Sequence, residues 1–221
     1  MQPILYEEPH WTHRAVIHAH RASHIVSFQG AALKEPAPRE DHDKSLTELI
    51  DDDPDAWMFT HSTFPDEGHM VAEGIANGTV IAISDGSYMP DLSQEHATAA
   101  WIIECQHTGA RCWGVLQVPG KKREVNAYRA ETLGGTVMRK AIHFLERRWN
   151  LSHGKAICGL DCDGVSDKFA YGSDKISQRR RNTDLLCEGN TIRTRSKIDT
   201  PFQRVAGHMD DHFGYNDLTR E

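Results

Sequence analysis

Long apolar runs are missing from this 221-residue chain: none approaches the roughly 20 residues of a membrane-spanning helix, so no helical span is expected. The opening stretch MQPILYEEPHW has no basic region followed by an apolar core, which leaves no secretory leader to expect. Cysteine is sparse and unpaired in pattern. Five cysteines, at 105, 112, 158, 162 and 187, give no pair of CxxC units and no zinc knuckle, so reduced thiols in an intracellular compartment, cytoplasmic or nuclear, are expected. Positive charge is also short, with 25 Lys and Arg against 32 Asp and Glu, and a net charge of -7 excludes wholesale coating of nucleic acid. Internal repeats and low-complexity tracts are absent.

The chain holds enough apolar residues for one well-packed domain. They make up 38% of it, and the mean hydropathy of -0.58 fits a globular core with a polar extension. Charge is unevenly placed: residues 48–55 (ELIDDDPD) are acidic, and Lys175–Lys197 hold a local basic excess. Residues 1–77 are read as a poorly defined extension or linker, and 78–221 as the domain. Five histidines (His10, His13, His18, His20 and His24) complete no zinc pattern. The run Asp51–Asp55 lacks the glycine and distal glutamate of a calcium loop and reads as a solvated linker. Val71–Ala76 predicts a short helix stopped at Asn77-Gly78.

Val80-Ile-Ala-Ile-Ser84 predicts a buried central strand, because β-branched residues occupy both of its faces. Asp85 then stands at its carboxyl end, where ligands bind in open α/β sheets. Ala99–Cys105 and Arg111–Val118 are the second and third strands, joined by short loops into an antiparallel meander. A helix follows from about Ala127 to Trp149, with Gly134, Gly135, Met138, Ile142 and Leu145 on the same side as Glu131. Ala156–Asp163 is the fourth strand, placed parallel to the first and beside it by a right-handed crossover. Alternation turns Asp161 and Asp163 to one face, and either can be the third carboxylate. Helices are expected from Asp167 to Ile176 and from Asp184 to Ile192, the latter broken at Gly189-Asn190, and a fifth strand at Phe202–Gly207. The fold class is therefore α/β: a five-stranded mixed sheet of order 3-2-1-4-5, strand 2 antiparallel, flanked by helices.

Carboxylates delivered to one corner of a sheet repel one another unless a cation joins them. An all-oxygen donor set suits Mg²⁺ or Mn²⁺ rather than Zn²⁺. Two such ions stabilise the attacking and leaving oxygens of phosphoryl transfer.

In these contexts the chain resembles the ribonuclease H domain, in the form carried by retroelement reverse transcriptases. Ser84-Asp-Gly-Ser87 matches the family's first-strand motif, and Ala127-Tyr-Arg-Ala-Glu-Thr-Leu133 resembles its helix motif. Cys162-Asp-Gly164 stands in the place of the third acid, and Val205-Ala-Gly-His208 is similar to the fifth-strand exit with its histidine. The resemblance covers about residues 78–212. It implies a metal-dependent endonuclease that hydrolyses the RNA strand of RNA/DNA hybrids, with two Mg²⁺ ions, or Mn²⁺ as substitute, on Asp85, Glu131 and Asp163. Asp211 is a candidate fourth ligand, beside Asp210, and His208 an aid to proton movement or product release. It further implies nucleic-acid contacts from Gly86, Ser87, Tyr128 and Arg129, joined by the basic run Arg179, Arg180 and Arg181. The remainder of a reverse-transcriptase polyprotein is an expected partner, the chain being read as a fragment truncated at its carboxyl end. Tyr128 stands where the family has Gln or Asn, and no clear helix with a fourth acid follows His208; both departures give the alternative of an inactive RNase H-like module that binds nucleic acid or protein. A transposase or integrase is disfavoured, because those place their Glu after two Asp residues.

Overall fold

The computed structural model describes residues 4–6, 15–20, 25–29, 43–93, 96–120, 122–171 and 182–205. Chain contacts divide it into two compact units, Met1–Arg39 and Glu40–Glu221. In the first, β1 (Ile4–Tyr6), β2 (Ala15–His20) and β3 (Ile25–Gln29) form an antiparallel sheet in that order. His18 and His20 lie in β2; His10, His13 and His24 fall outside the described residues.

The second unit begins well before residue 78. Its first helix, α1 (Leu46–Asp51), starts on a capping box in which the Ser45 side chain accepts from Glu48 N and the Glu48 carboxylate accepts from Ser45 N. A 3-10 turn at Ala56–Phe59, the short strand β4 (Ser62–Thr63) and a second turn at Pro65–Gly68 lead into α2 (His69–Asn77). Gly78, at φ 70°, ends α2 in the left-handed conformation that a residue with a Cβ adopts reluctantly, as the Asn77-Gly78 signal predicts. Leu46, Leu49, Phe59, Val71 and Ile75 are buried in the same core as the sheet, and this burial draws residues 43–77 into the domain.

The main sheet contains β5 (Val80–Tyr88), β6 (Ala97–Cys105) and β7 (Arg111–Gln117), then α3 (Ala127–Arg148) and β8 (Gly154–Leu160). The helices α4 (Asp163–Tyr171) and α5 (Thr183–Arg195) precede β9 (Ile198–Asp199) and β10 (Phe202–Arg204). The strand order is β10-β8-β5-β6-β7-β4, with β9 also pairing β8. β6 is antiparallel to β5 and β7, while β8 is parallel to β5 and β10. This is the expected five-strand order, the RNase H-like topology, extended by β4 and β9.

One face of the sheet carries the core. Val80, Ala82 and Ser84 of β5 alternate inward with Trp101 and Ile103 of β6, and meet Leu133, Val137, Met138 and Phe144 on α3. α3 is buried on more than one side, so even its cations are internal. Arg139, buried and pushed down to about 10 by burial, lies against the rings of Phe169 and Phe202 and donates to Gly189 O and Phe169 O.

Three expectations are corrected. The run Asp51–Asp55 is not a solvated linker, because the buried Lys140 ammonium draws in Asp53 at 2.7 Å, Asp55 at 2.9 Å and Glu188 at 3.2 Å. α5 runs unbroken through Gly189-Asn190: a Cβ at Gly189 would meet Phe169 Cε1 at 2.5 Å, so the glycine serves close packing and not a helix stop. β5 continues past Asp85 to Tyr88, held by pairing with β6 out to Ala97.

Lys140→Met leaves three carboxylates facing one another without their cation. Because these carboxylates are partly solvated, the expected loss of stability is about 2 kcal/mol, below the usual range for a fully buried pair. Urea unfolding reads it as a lower midpoint at unchanged slope, and removal of the solvent-facing Lys44–Asp52 pair by Lys44→Ala serves as the near-neutral control.

Candidate metal centre

The site begins where two strands part. β5 and β8 pair from Val80↔Ala156 to Ile83↔Gly159, whereas β5 continues alongside β6. Beyond Ile83 the β8 side of β5 has lost its ladder, and the Gly86 N–H donates instead to Glu131 Oε1 at 3.1 Å.

Glu131 reaches that position because α3 lies directly on β5. The helix opens on Asn126, whose side chain accepts from Arg129 N, so Glu131 falls one turn further in. A Cβ at Gly86 would stand 2.4 Å from Glu131 N, and one at Gly134 would stand 3.2 Å from Ser84 Cβ. The two backbones therefore approach with no side chain between them at Gly86. This contact accounts for a glycine at position 86.

Asp85 projects from the exposed face of β5, and Asp161 follows the last residue of β8. Asp85, Glu131 and Asp161 each offer a carboxylate oxygen, all within 4.8 Å of one another. Glu131 Oε2 is buried and accepts no hydrogen bond. Burial, then the charge of Asp161, pushes the Glu131 carboxyl up to about 8; the Gly86 N–H opposes this, and Asp85 adds to it. An orphaned buried oxygen within an all-carboxylate group is a donor set for a hard divalent cation.

The remaining sequence candidates lie apart from this cluster or outside the described residues. Asp163 stands outside the cluster: the chain turns into α4 at this residue, ending the strand alternation that would have kept it beside Asp161, and its Oδ1 meets Arg204 Nε at 2.8 Å. Arg129 is buried and engaged inside the protein, donating to Pro119 O and Asn182 Oδ1 and clasping both oxygens of Asp184, so its assignment to nucleic acid is corrected. Tyr128 donates from its hydroxyl to Gly164 O at 3.0 Å and receives Lys168 Nζ, which also lies 4.5 Å from the ring centroid. Its phenol is thereby committed to bridging α3 and α4. Ser87 lies half-buried within β5, paired with Thr98. His208, Asp211, Arg179, Arg180 and Arg181 lie outside the described residues. Lys168 and Arg204 were not legible as site neighbours; only the strand register, Arg204↔Leu160, places Arg204 beside Asp161.

No protein-family model matches the chain, and no curated protein does. Among solved structures, the amino-terminal RNase H domain of a Mycobacterium tuberculosis protein is similar over 60% of this chain and 86% of its own, at 11% identity and a TM-score of 0.41. LC11-RNase H1 in complex with an RNA/DNA hybrid is similar over 60% and 89%, at 8% identity and a TM-score of 0.46. RNase H1 from the halophilic archaeon Halobacterium salinarum gives the same coverage, 60% and 89%, at 12% identity and a TM-score of 0.41. Identities and scores this low bear on no residue or activity of this chain. Among the described residues, no helix is long and apolar enough to cross a membrane.

The raised Glu131 sets a pH dependence. Folded, the carboxyl keeps its proton up to about 8, whereas unfolded it gives it up near 4.5, so the native state holds the extra proton between these values. Metal-free protein is expected to lose stability as pH rises through this window, at no more than about 1.4 kcal/mol per unit. A divalent cation held by these carboxylates would displace the same proton, so its affinity should rise by up to about tenfold per unit from about pH 6 to about pH 8. Thermal melts and calorimetric titrations across this range check both, and Glu131→Gln should flatten the stability slope.

Proposed function

We propose that this chain is a metal-dependent endoribonuclease that hydrolyses the RNA strand of an RNA/DNA hybrid. The observation that carries the reading is the convergence of Asp85, Glu131 and Asp161 within 4.8 Å at the parting of β5 and β8. Motif order supports the retroelement reverse-transcriptase form, since Ser84-Asp-Gly-Ser87 and the Ala130-Glu131 context precede the third acid in the chain.

Asp85, Glu131 and Asp161 would hold two Mg²⁺ or Mn²⁺ ions. When bound, these supply Lewis-acid activation of water and charge neutralisation at the phosphodiester. The protein's own part is orientation. Gly86 N–H fixes one oxygen of Glu131 and leaves the other free as a donor. Asp85 stands on the exposed face of β5, open to solvent. Asp161 sits on the last turn of chain before α4, so its position depends on the bridge from Tyr128 to Gly164. His208 remains the proposed aid to proton movement, and Arg179–Arg181 the proposed backbone contact.

A labelled RNA/DNA hybrid incubated with protein in Mg²⁺ or Mn²⁺ should be cut within its RNA strand. Cleavage should vanish with chelator, and fall at least about a thousandfold in Asp85→Asn, Glu131→Gln and Asp161→Asn. Salt-dependent hybrid binding without cleavage in any divalent ion would replace this reading with that of a non-catalytic binding module.

A further inference from the structure

Asp163 and Arg204 form an ion pair at 2.8 Å, with side chains 62% and 67% exposed, on the segments that flank Asp161. Asp163 is the first residue of α4, two residues beyond Asp161. Arg204 ends β10, where its register partner on β8 is Leu160, immediately before Asp161. Val205 N donates to Leu160 O at 2.9 Å, which fixes the base of the arginine against the strand that delivers the third ligand. A pair this exposed is held weakly and exchanges readily for another partner. A guanidinium grips two oxygens of a phosphate with two donors, as it does a carboxylate.

Charge balance gives the released aspartate a use. Two divalent ions carry four positive charges, and the three clustered carboxylates carry at most three negative ones. Asp163 is the next carboxylate along the chain, and its partner Arg204 is an exposed cation at the end of the strand paired with β8.

We propose that Arg204 is a positioning residue for a fourth metal ligand: without nucleic acid it holds Asp163 apart from the Asp85–Glu131–Asp161 cluster, and a backbone phosphate takes the guanidinium and releases Asp163 to the metal. This rests on the endoribonuclease reading above. The hybrid then strengthens metal binding through the protein as well as by direct contact, and the catalytic ion set is completed only when a strand lies over the site.

The test is a calorimetric titration of Mn²⁺ into the full chain, with and without a hybrid whose RNA strand carries 2′-O-methyl groups and is not cut. In the absence of hybrid, Arg204→Gln should tighten Mn²⁺ several-fold relative to wild type, since Asp163 is already free. The same substitution in an Asp163→Asn background should change nothing, whereas a gain that persists there would show a plain field effect and overturn the proposal. Hybrid should tighten Mn²⁺ for wild type more than for Arg204→Gln; equal tightening overturns it as well. Because both side chains face solvent, the variants should fold, and thermal melts at wild-type midpoints establish that they do. If wild type binds Mn²⁺ and cuts unmodified hybrid while Arg204→Gln matches it in every titration, this inference fails and the function stands. A wild type that neither binds Mn²⁺ nor cuts hybrid fails both.

Discussion

The contact between Gly86 and the first turns of α3 sets the geometry on which the candidate site depends. No side chain separates the two backbones there, and a Cβ would fall 2.4 Å from Glu131 N. That closeness lets a helix carboxylate accept a strand N–H beyond the end of the ladder at Ile83↔Gly159. Strand divergence supplies the opening, and glycine supplies the approach. Glu131 is the group that both features serve.

The electrostatics follow from the same burial. Glu131 is held in a poorly solvated place beside two other carboxylates, which pushes its carboxyl up to about 8 and keeps it protonated near neutral pH. The buried cations of α3 do not relieve it, because they are engaged with other groups. Arg129 holds Asp184 at the start of α5, Lys140 gathers Asp53, Asp55 and Glu188, and Arg139 packs against the rings of Phe169 and Phe202. Rigidity of the scaffold and unrelieved charge at the site therefore have one source: α3 is buried on several sides and its polar groups are consumed internally.

Much of this was legible in the residues. The β-branched run at Val80, the meander after it and the long helix with glycines on its sheet side fix the strand order, because few topologies satisfy short loops and a right-handed crossover together. Asp85 and Glu131 were legible for the same reason. Which of Asp161 and Asp163 lies beside them was not, since that turns on where β8 gives way to α4, and the helix starts at Asp163, four residues before the expected Asp167. Arg129 reads as a free cation in a motif, yet its partner Asp184 lies 55 residues away, beyond any local pattern. Asp53 and Asp55 read as solvated for a similar reason: their ammonium, Lys140, is supplied by a helix 85 residues from Asp55. Local periodicity reports which face is apolar, and long-range ion pairs stay hidden from it.

The account stands most directly on where divalent ions bind. Crystals soaked in Mn²⁺ and measured at its absorption edge should show anomalous density bounded by the carboxylates of Asp85, Glu131 and Asp161, with ion separations near the roughly 4 Å typical of two-metal sites when hybrid is present. Density confined to other acidic residues, or none between these three, would contradict it.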